Sequence, residues 1–266
     1  MPTLLGIPLD VNSSFLRGPA GAPGKIREAL HSDASNKWTE VRVDLGVAGA
    51  FDDAGDLRLA DSRERVGEDF AEIERAIAGL LEKDARPLSL GGDHSVTYPI
   101  LKAFARRYPG LTIVHFDAHP DLYDEFEGSR VSHACPFARI MEERLAKRLV
   151  QVGIRTMNGH QREQAARFGV EVAEMRLLPA HERLKMQGPV YVSFDMDVLD
   201  PAFAPGVSHR EPGGMTTREA IAHLHAIDGM IVGADLVEYN PAQDVSGMTA
   251  IVVAKIVKEI LGRMKE

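Results

Sequence analysis

The sequence predicts an α/β protein: three α/β/α layers built on a central, mostly parallel sheet. Apolar, β-rich runs recur along the chain, and helical patterns stand between them, which is the rhythm of strands joined by crossover helices. Ionisable residues also gather where several of these runs end, the edge at which open α/β sheets bind their ligands.

The runs are TLLGIPL (3–9), RPLSLGG (86–92), LTIVHFD (111–117), RLVQVGI (148–154), VYVSFD (190–195) and MIVGADLV (230–237). Between the first two, Val66, Phe70, Ile73, Ile77 and Leu80 recur at helical spacing, and REAIAHLHAI (218–227) and TAIVVAKIVKEIL (249–261) read as further helices. Such helices cover both faces of the sheet. No internal repeat, low-complexity tract or linker interrupts the pattern, so a single doubly wound domain over residues 1–266 is preferred to two smaller ones.

The chain of 266 residues is 44% hydrophobic and 26% charged, with a formal net charge of -8, so it offers no basic excess for nucleic acid. No apolar run is long enough to span a bilayer, and the start, MPTLLGIPLD, has no basic leader. With Cys135 the single cysteine, an intrachain disulfide and a cysteine-based zinc site are excluded. These features predict a cytoplasmic protein that binds neither nucleic acid nor membrane.

The stretch HFDAHPDLYDEF (115–126) crowds charge at a strand end. In extended chain Asp117, His119 and Asp121 share one face, where neighbouring carboxylates repel unless a positive charge lies between them. LSLGGDHSV (88–96) sets His94 after a glycine pair, and VSFDMDVLDP (192–201) sets Asp195 and Asp197 on one face. A single cluster of this kind is more often a turn or cap than a metal site. A parallel sheet, however, brings all three to one edge, where His94, Asp117, His119, Asp121, Asp195 and Asp197 converge. Four aspartates balance two divalent ions, with Asp117 and Asp195 as the natural bridges. Hard oxygen donors without thiolate favour Mn²⁺, two per chain, while affinity leaves Co²⁺, Ni²⁺ and Zn²⁺ open. Asp93 reads as a support for its loop and Asp200 as a turn residue.

GGDHS, DAHPD and SFDMDVLDPAFAPG resemble the ureohydrolase family, which includes arginases and agmatinases. The likeness extends through GIPLDVNSSFLRGPAGAP, SHACPFARIME, QVGIR, EPGG and DLVEYNP, covering nearly the whole chain. It implies the three-layer fold, a dimanganese site, and hydrolysis of a small guanidino substrate to urea and an amine. Carried over by position, His94 and Asp121 bind one manganese, His119 and Asp197 the other, and Asp117 and Asp195 bridge. The guanidinium carbon is a poor electrophile, so its hydrolysis at neutral pH calls for metal-activated water. His133, in SHACPF, matches the family's proton-moving histidine, and Glu238, in VEYNP, the acid that receives the guanidinium. A buried, space-filling thiol is the expectation for Cys135.

GVSHREPGG (206–214) and DLYDEFEGSRVSHACPFARIME (121–142) look most like plant-type arginases, whereas GGDHSVTYP suits bacterial agmatinases equally. L-Arginine is therefore expected as substrate ahead of agmatine or another guanidino compound, with Tyr123, Ser129, Arg130 and His209 as candidates for the outer pocket. The family resemblance also implies a homo-oligomer, trimer or hexamer. A dinuclear phosphoesterase fits less well because the order differs and a late His-x-His is missing. A guanidino-binding pseudoenzyme is disfavoured by the complete ligand set.

Overall fold

The computed structural model describes residues 1–178 and 184–265. Strands β1 (Pro2–Gly6), β2 (Asp52–Asp56), β3 (Arg86–Leu90), β4 (Thr112–Phe116), β5 (Arg148–Ile154), β6 (Glu171–Glu174), β7 (Leu184–Asp195) and β8 (Ile227–Val237) form one sheet in the order β2-β1-β3-β8-β7-β4-β5-β6. Every neighbouring pair is parallel. The α-helices are α1 (Ala22–His31), α2 (Val66–Glu82), α3 (Thr97–Arg107), α4 (Pro136–Glu142), α5 (Gly159–Phe168), α6 (Thr217–His225) and α7 (Met248–Lys265).

The strand runs are continuously apolar because both faces of the sheet are covered. On β4, Val114 and Phe116 join the core beneath α1, α6 and α7, with Ile26, Leu224 and Ile256. Ile113 faces the other way, into the core with Ile73, Ile100, Phe104 and Phe137 from α2, α3 and α4. The three-layer expectation is met, and each of the six expected runs overlaps a strand, with β7 and β8 beginning several residues earlier than expected. The helix expected over 218–227 stops at His225, because Ile227 already pairs with Leu184 as the start of β8.

The chain passes from β3 to β4 across the positions of β8 and β7, so the sheet has a switch point between them. Four adjacent strand ends, those of β3, β8, β7 and β4, open onto one crevice. The loop after β1 crowds the end of β3: a Cβ on Gly92 would lie 1.8 Å from the Leu9 carbonyl oxygen, so only glycine fits there. The Gly92 carbonyl then accepts from the Glu238 amide at 2.9 Å, tying the end of β3 to the end of β8.

Candidate metal centre

Each loop at the crevice is braced by its own side chains. After β3, Asp93 Oδ1 accepts from the Ser95 amide at 3.0 Å and Oδ2 from the Asn12 amide at 2.9 Å, which turns His94 inward and makes Asp93 the expected loop support. After β7, Asp195 accepts from the Asp197 amide at 2.8 Å, and Asp197 in turn accepts from the Ala118 amide at 3.2 Å, joining the β7 and β4 loops. Asp200 accepts from the amides of Ala202, Gly213 and Gly214, as a turn residue should. Asp121 and Glu238 have φ of 49° and 62°, a left-handed conformation that side chains adopt at a cost of roughly 1–3 kcal/mol and that tends to mark functional sites.

These loops bring all six expected donors together. His94 Nδ1 lies 3.2 Å from Asp117 Oδ2 and 3.1 Å from both Asp121 Oδ2 and Asp195 Oδ2. His119 Nδ1 lies 3.0 Å from Asp197 Oδ2 and 3.4 Å from Asp117 Oδ1. Asp117 thus turns one oxygen to each imidazole. Asp195, the other carboxylate read as a bridge, turns Oδ2 to His94 and Oδ1 to the Asp197 amide.

The donor set fits a cation on two grounds. Behind His94, Nε2 meets Ser193 Oγ at 2.9 Å, and that hydroxyl donates to Asp235 Oδ1 at 2.7 Å, so the serine accepts the Nε2 proton. In the neutral ring this leaves a lone pair on Nδ1, a buried atom without a hydrogen-bond partner, facing three carboxylates. Only a positive charge between them removes the repulsion. Donors about 2.2 Å from an octahedral ion stand about 3.1 Å apart when adjacent, which matches the spacing around His94.

Proton equilibria report the same deficit of positive charge. Burial, then repulsion from Asp197 and Asp117, pushes the Asp195 carboxyl well above its ordinary range. Burial also opposes charge on His94, yet Asp117, Asp121 and Asp195 raise it well above an ordinary imidazole. His119 is raised in the same way, against burial, by Asp197 and Asp117.

His115 is a site residue that the sequence reading passed over. It is buried within ligand distance of His94 and Asp117. Gln151 Nε2 donates to its Nδ1 at 3.0 Å, so Nε2 carries the proton and donates to Asp117 Oδ2 at 2.8 Å. His115 therefore orients Asp117. Asp235, which also accepts from Tyr191 and Thr97, does the same for His94 through Ser193.

A cavity of about 250 Å³ opens over the donors, with His133, Glu238, Tyr123 and His209 in its wall. Glu238 Oε1 accepts from the His94 amide at 3.0 Å and lies 2.9 Å from His133 Nδ1, while Oε2 is buried without a partner. Burial works against a charge on His133, but Glu238 outweighs it and holds the imidazole up to about 9. Two outer-pocket expectations are corrected. Arg130 points away, paired with Asp124 and Glu142, and Ser129 closes a turn with Phe126 outside this cavity. Cys135 is buried as expected, and burial pushes its thiol up to about 12.

A profile of the Arginase family matches residues 2–262. The chain is 47% identical to arginase 1, mitochondrial, of Arabidopsis thaliana over 99% of its own length and 81% of the relative's. It is 37% identical to the agmatinase of Bacillus subtilis, over 97% and 90%. The solved arginase of Medicago truncatula superposes with a TM-score of 0.94 at 45% identity, over 99% of this chain and 87% of that one. The cytoplasmic expectation is overturned, since plant relatives from Arabidopsis thaliana and Medicago truncatula carry mitochondrial or chloroplastic in their names. A lone buried thiol is at home in any reducing compartment, so it carried less information than the sequence reading took from it. No helix among the described residues is long and apolar enough to cross a membrane. The carboxylate-rich centre, the switch-point crevice and the full-length matches agree: this chain belongs to the Arginase family, metal-dependent hydrolases of small guanidino compounds.

Proposed function

We propose that the protein hydrolyses L-arginine to L-ornithine and urea with two Mn²⁺ ions per chain. The observation that carries the reading is Asp117, whose two oxygens face the two imidazoles His94 and His119, as a carboxylate shared by two ions must. His94 and Asp121 would hold one ion, His119 and Asp197 the other, with Asp117 and Asp195 shared. When bound, the pair supplies Lewis acidity that activates water near neutral pH.

The chain's own residues supply the rest. Glu238 presents Oε2, a buried acceptor without a partner, to the planar guanidinium and fixes its orientation at the donors. His133, with Nδ1 beside that carboxylate, moves the proton that the departing amine nitrogen requires as its bond to the guanidinium carbon breaks. His115 and Asp235 hold Asp117 and His94 in place. Residues 1–266 would act as one domain, since the donors come from the ends of β3, β4 and β7, and Glu238 from the end of β8, all in one sheet. The assembly would be a trimer or hexamer.

Agmatine is the second reading, favoured by the agmatinase likeness and by a cavity wall in which, among the described residues, no lysine or arginine stands to meet an α-carboxylate. Urea release from both substrates by Mn²⁺-loaded protein decides. Arginine should give the higher kcat/KM, and a higher value for agmatine would refute the arginase assignment while leaving the hydrolase intact.

A further inference from the structure

His133 has a second hydrogen-bond partner that the proposed reaction does not yet use. Ser14 Oγ lies 2.8 Å from its Nε2, on the opposite side of the ring from Glu238. The serine sits in the loop after β1, and that loop is pinned. The Asp10 and Val11 amides both donate to Asp61 Oδ1 at 2.9 Å, Asn12 Nδ2 donates to Ser95 Oγ at 2.9 Å, and the Asn12 carbonyl accepts from the His133 amide at 3.2 Å. The hydroxyl is thereby held at the ring by the contacts of the residues just before it.

Ser14 also stands at a partition. It lines the cavity over the donors and, with Phe126, a second cavity of about 160 Å³ whose wall includes the exposed Arg63 and Glu127. His133 and Glu238 line only the first. A hydroxyl accepts one hydrogen bond while donating another, so Ser14 is equipped to join the ring to water on the far side.

We propose that Ser14 is a positioning residue that relays protons between His133 Nε2 and water in the second cavity, keeping this traffic out of the substrate chamber. The inference rests on the reading of His133 as the proton-moving group. As Nδ1 takes a proton from the chamber, the Nε2–H bond breaks toward Ser14 Oγ, and the Ser14 O–H bond breaks toward water. The ring carries one N–H before and after, and the serine is unchanged. Run backwards, the sequence brings a proton in from water and releases the Nδ1 proton to the departing amine.

Ser14→Val and Ser14→Thr test this, because they differ mainly in the hydroxyl and both fill the space that a substitute water would take. With metal content checked, Ser14→Val should lower kcat about 10-fold without raising KM and restore its rate with added imidazole, while Ser14→Thr keeps most of the rate. In a His133→Ala background Ser14→Val should cost nothing further. A Ser14→Val enzyme with unchanged kcat, or one equally impaired with and without His133, overturns the relay. If His133→Ala is as fast as the parent, the reading of His133 falls and the relay falls with it; if His133→Ala is slow and Ser14→Val is not, only the relay falls.

Discussion

The donor set has two halves that the fold treats differently. His94 is wholly buried, backed by Ser193 and Asp235, edge-on to Phe137 and faced by three carboxylates. His119 has a side chain 27% exposed, faces two carboxylates, and has the His209 ring 6.0 Å away across the cavity. The inner half is built into the sheet, whereas the outer half belongs to the cavity wall. Preorganisation is thus concentrated on one side, and metal held there should exchange more slowly than metal held at the outer side.

Asp117 belongs to both halves, so its loss should erase the comparison. Asp117→Asn keeps the hydrogen bonding from His115 feasible but removes the charge shared by both imidazoles. Turnover should fall by several orders of magnitude and metal analysis should find both ions depleted. A variant that retains two ions per chain would show that the carboxylate is not shared.

Removing the two imidazoles in turn separates the halves. His94→Ala opens a buried space and strands Ser193 beside Asp235, costing about 2–4 kcal/mol of stability in the metal-free protein. His119→Ala, at the cavity surface, should cost less than about 1 kcal/mol. Each should lose one metal ion. Equal destabilisation by the two, measured by denaturant unfolding of metal-free protein, would contradict the asymmetry.

Asp235→Asn sharpens the same point without touching a donor. It weakens the acceptor that orients Ser193 and, through it, His94. Metal affinity should drop about 10–100-fold for one ion and change little for the other, as read by competition with a chelator. A matched loss at both ions would mean that Asp235 acts on the fold as a whole.

Much of this was legible in the sequence, for physical reasons that also explain the gaps. Donors that follow a strand end announce themselves, because charge directly after an apolar run is costly without compensation, and all six converge. His115 shares the two-residue period of Asp117, His119 and Asp121, so extending that count one step back into β4 would have found it. Ser193 and Asp235 lie inside β7 and β8, where a small or acidic residue reads as a break in an apolar run. Ser14 left no signal, since its place depends on loop contacts distant in sequence. Strand β2, DDAGD, was invisible because it is an exposed edge whose acids pair with Arg27. Capping boxes at Asn158 and Thr216 mark the starts of α5 and α6; both were legible and neither was used, so α5 was missed and α6 was expected to begin only at 218.

The smallest effect concerns the wall beside the two halves, and pH isolates it. Glu238 holds His133 up to about 9 in the metal-free chain, against the effect of burial, compared with an ordinary value of 6.5. A group raised on folding stabilises the protein fully below its unfolded value and loses that contribution as pH rises through the folded one. Metal-free protein should therefore lose stability on the order of 1–3 kcal/mol from this pair between about pH 6.5 and 9. His94 and His119 slope the same way, so the parent curve alone does not assign the loss. The difference between the parent and His133→Gln does, because the donors are common to both. That difference should be largest near pH 6, shrink between about pH 6.5 and 9, and be gone above pH 9. A gap between the two Tm curves that stays constant across this range would place the favourable contact of His133 in packing, and would leave Glu238 with its charge compensated from the donor side instead.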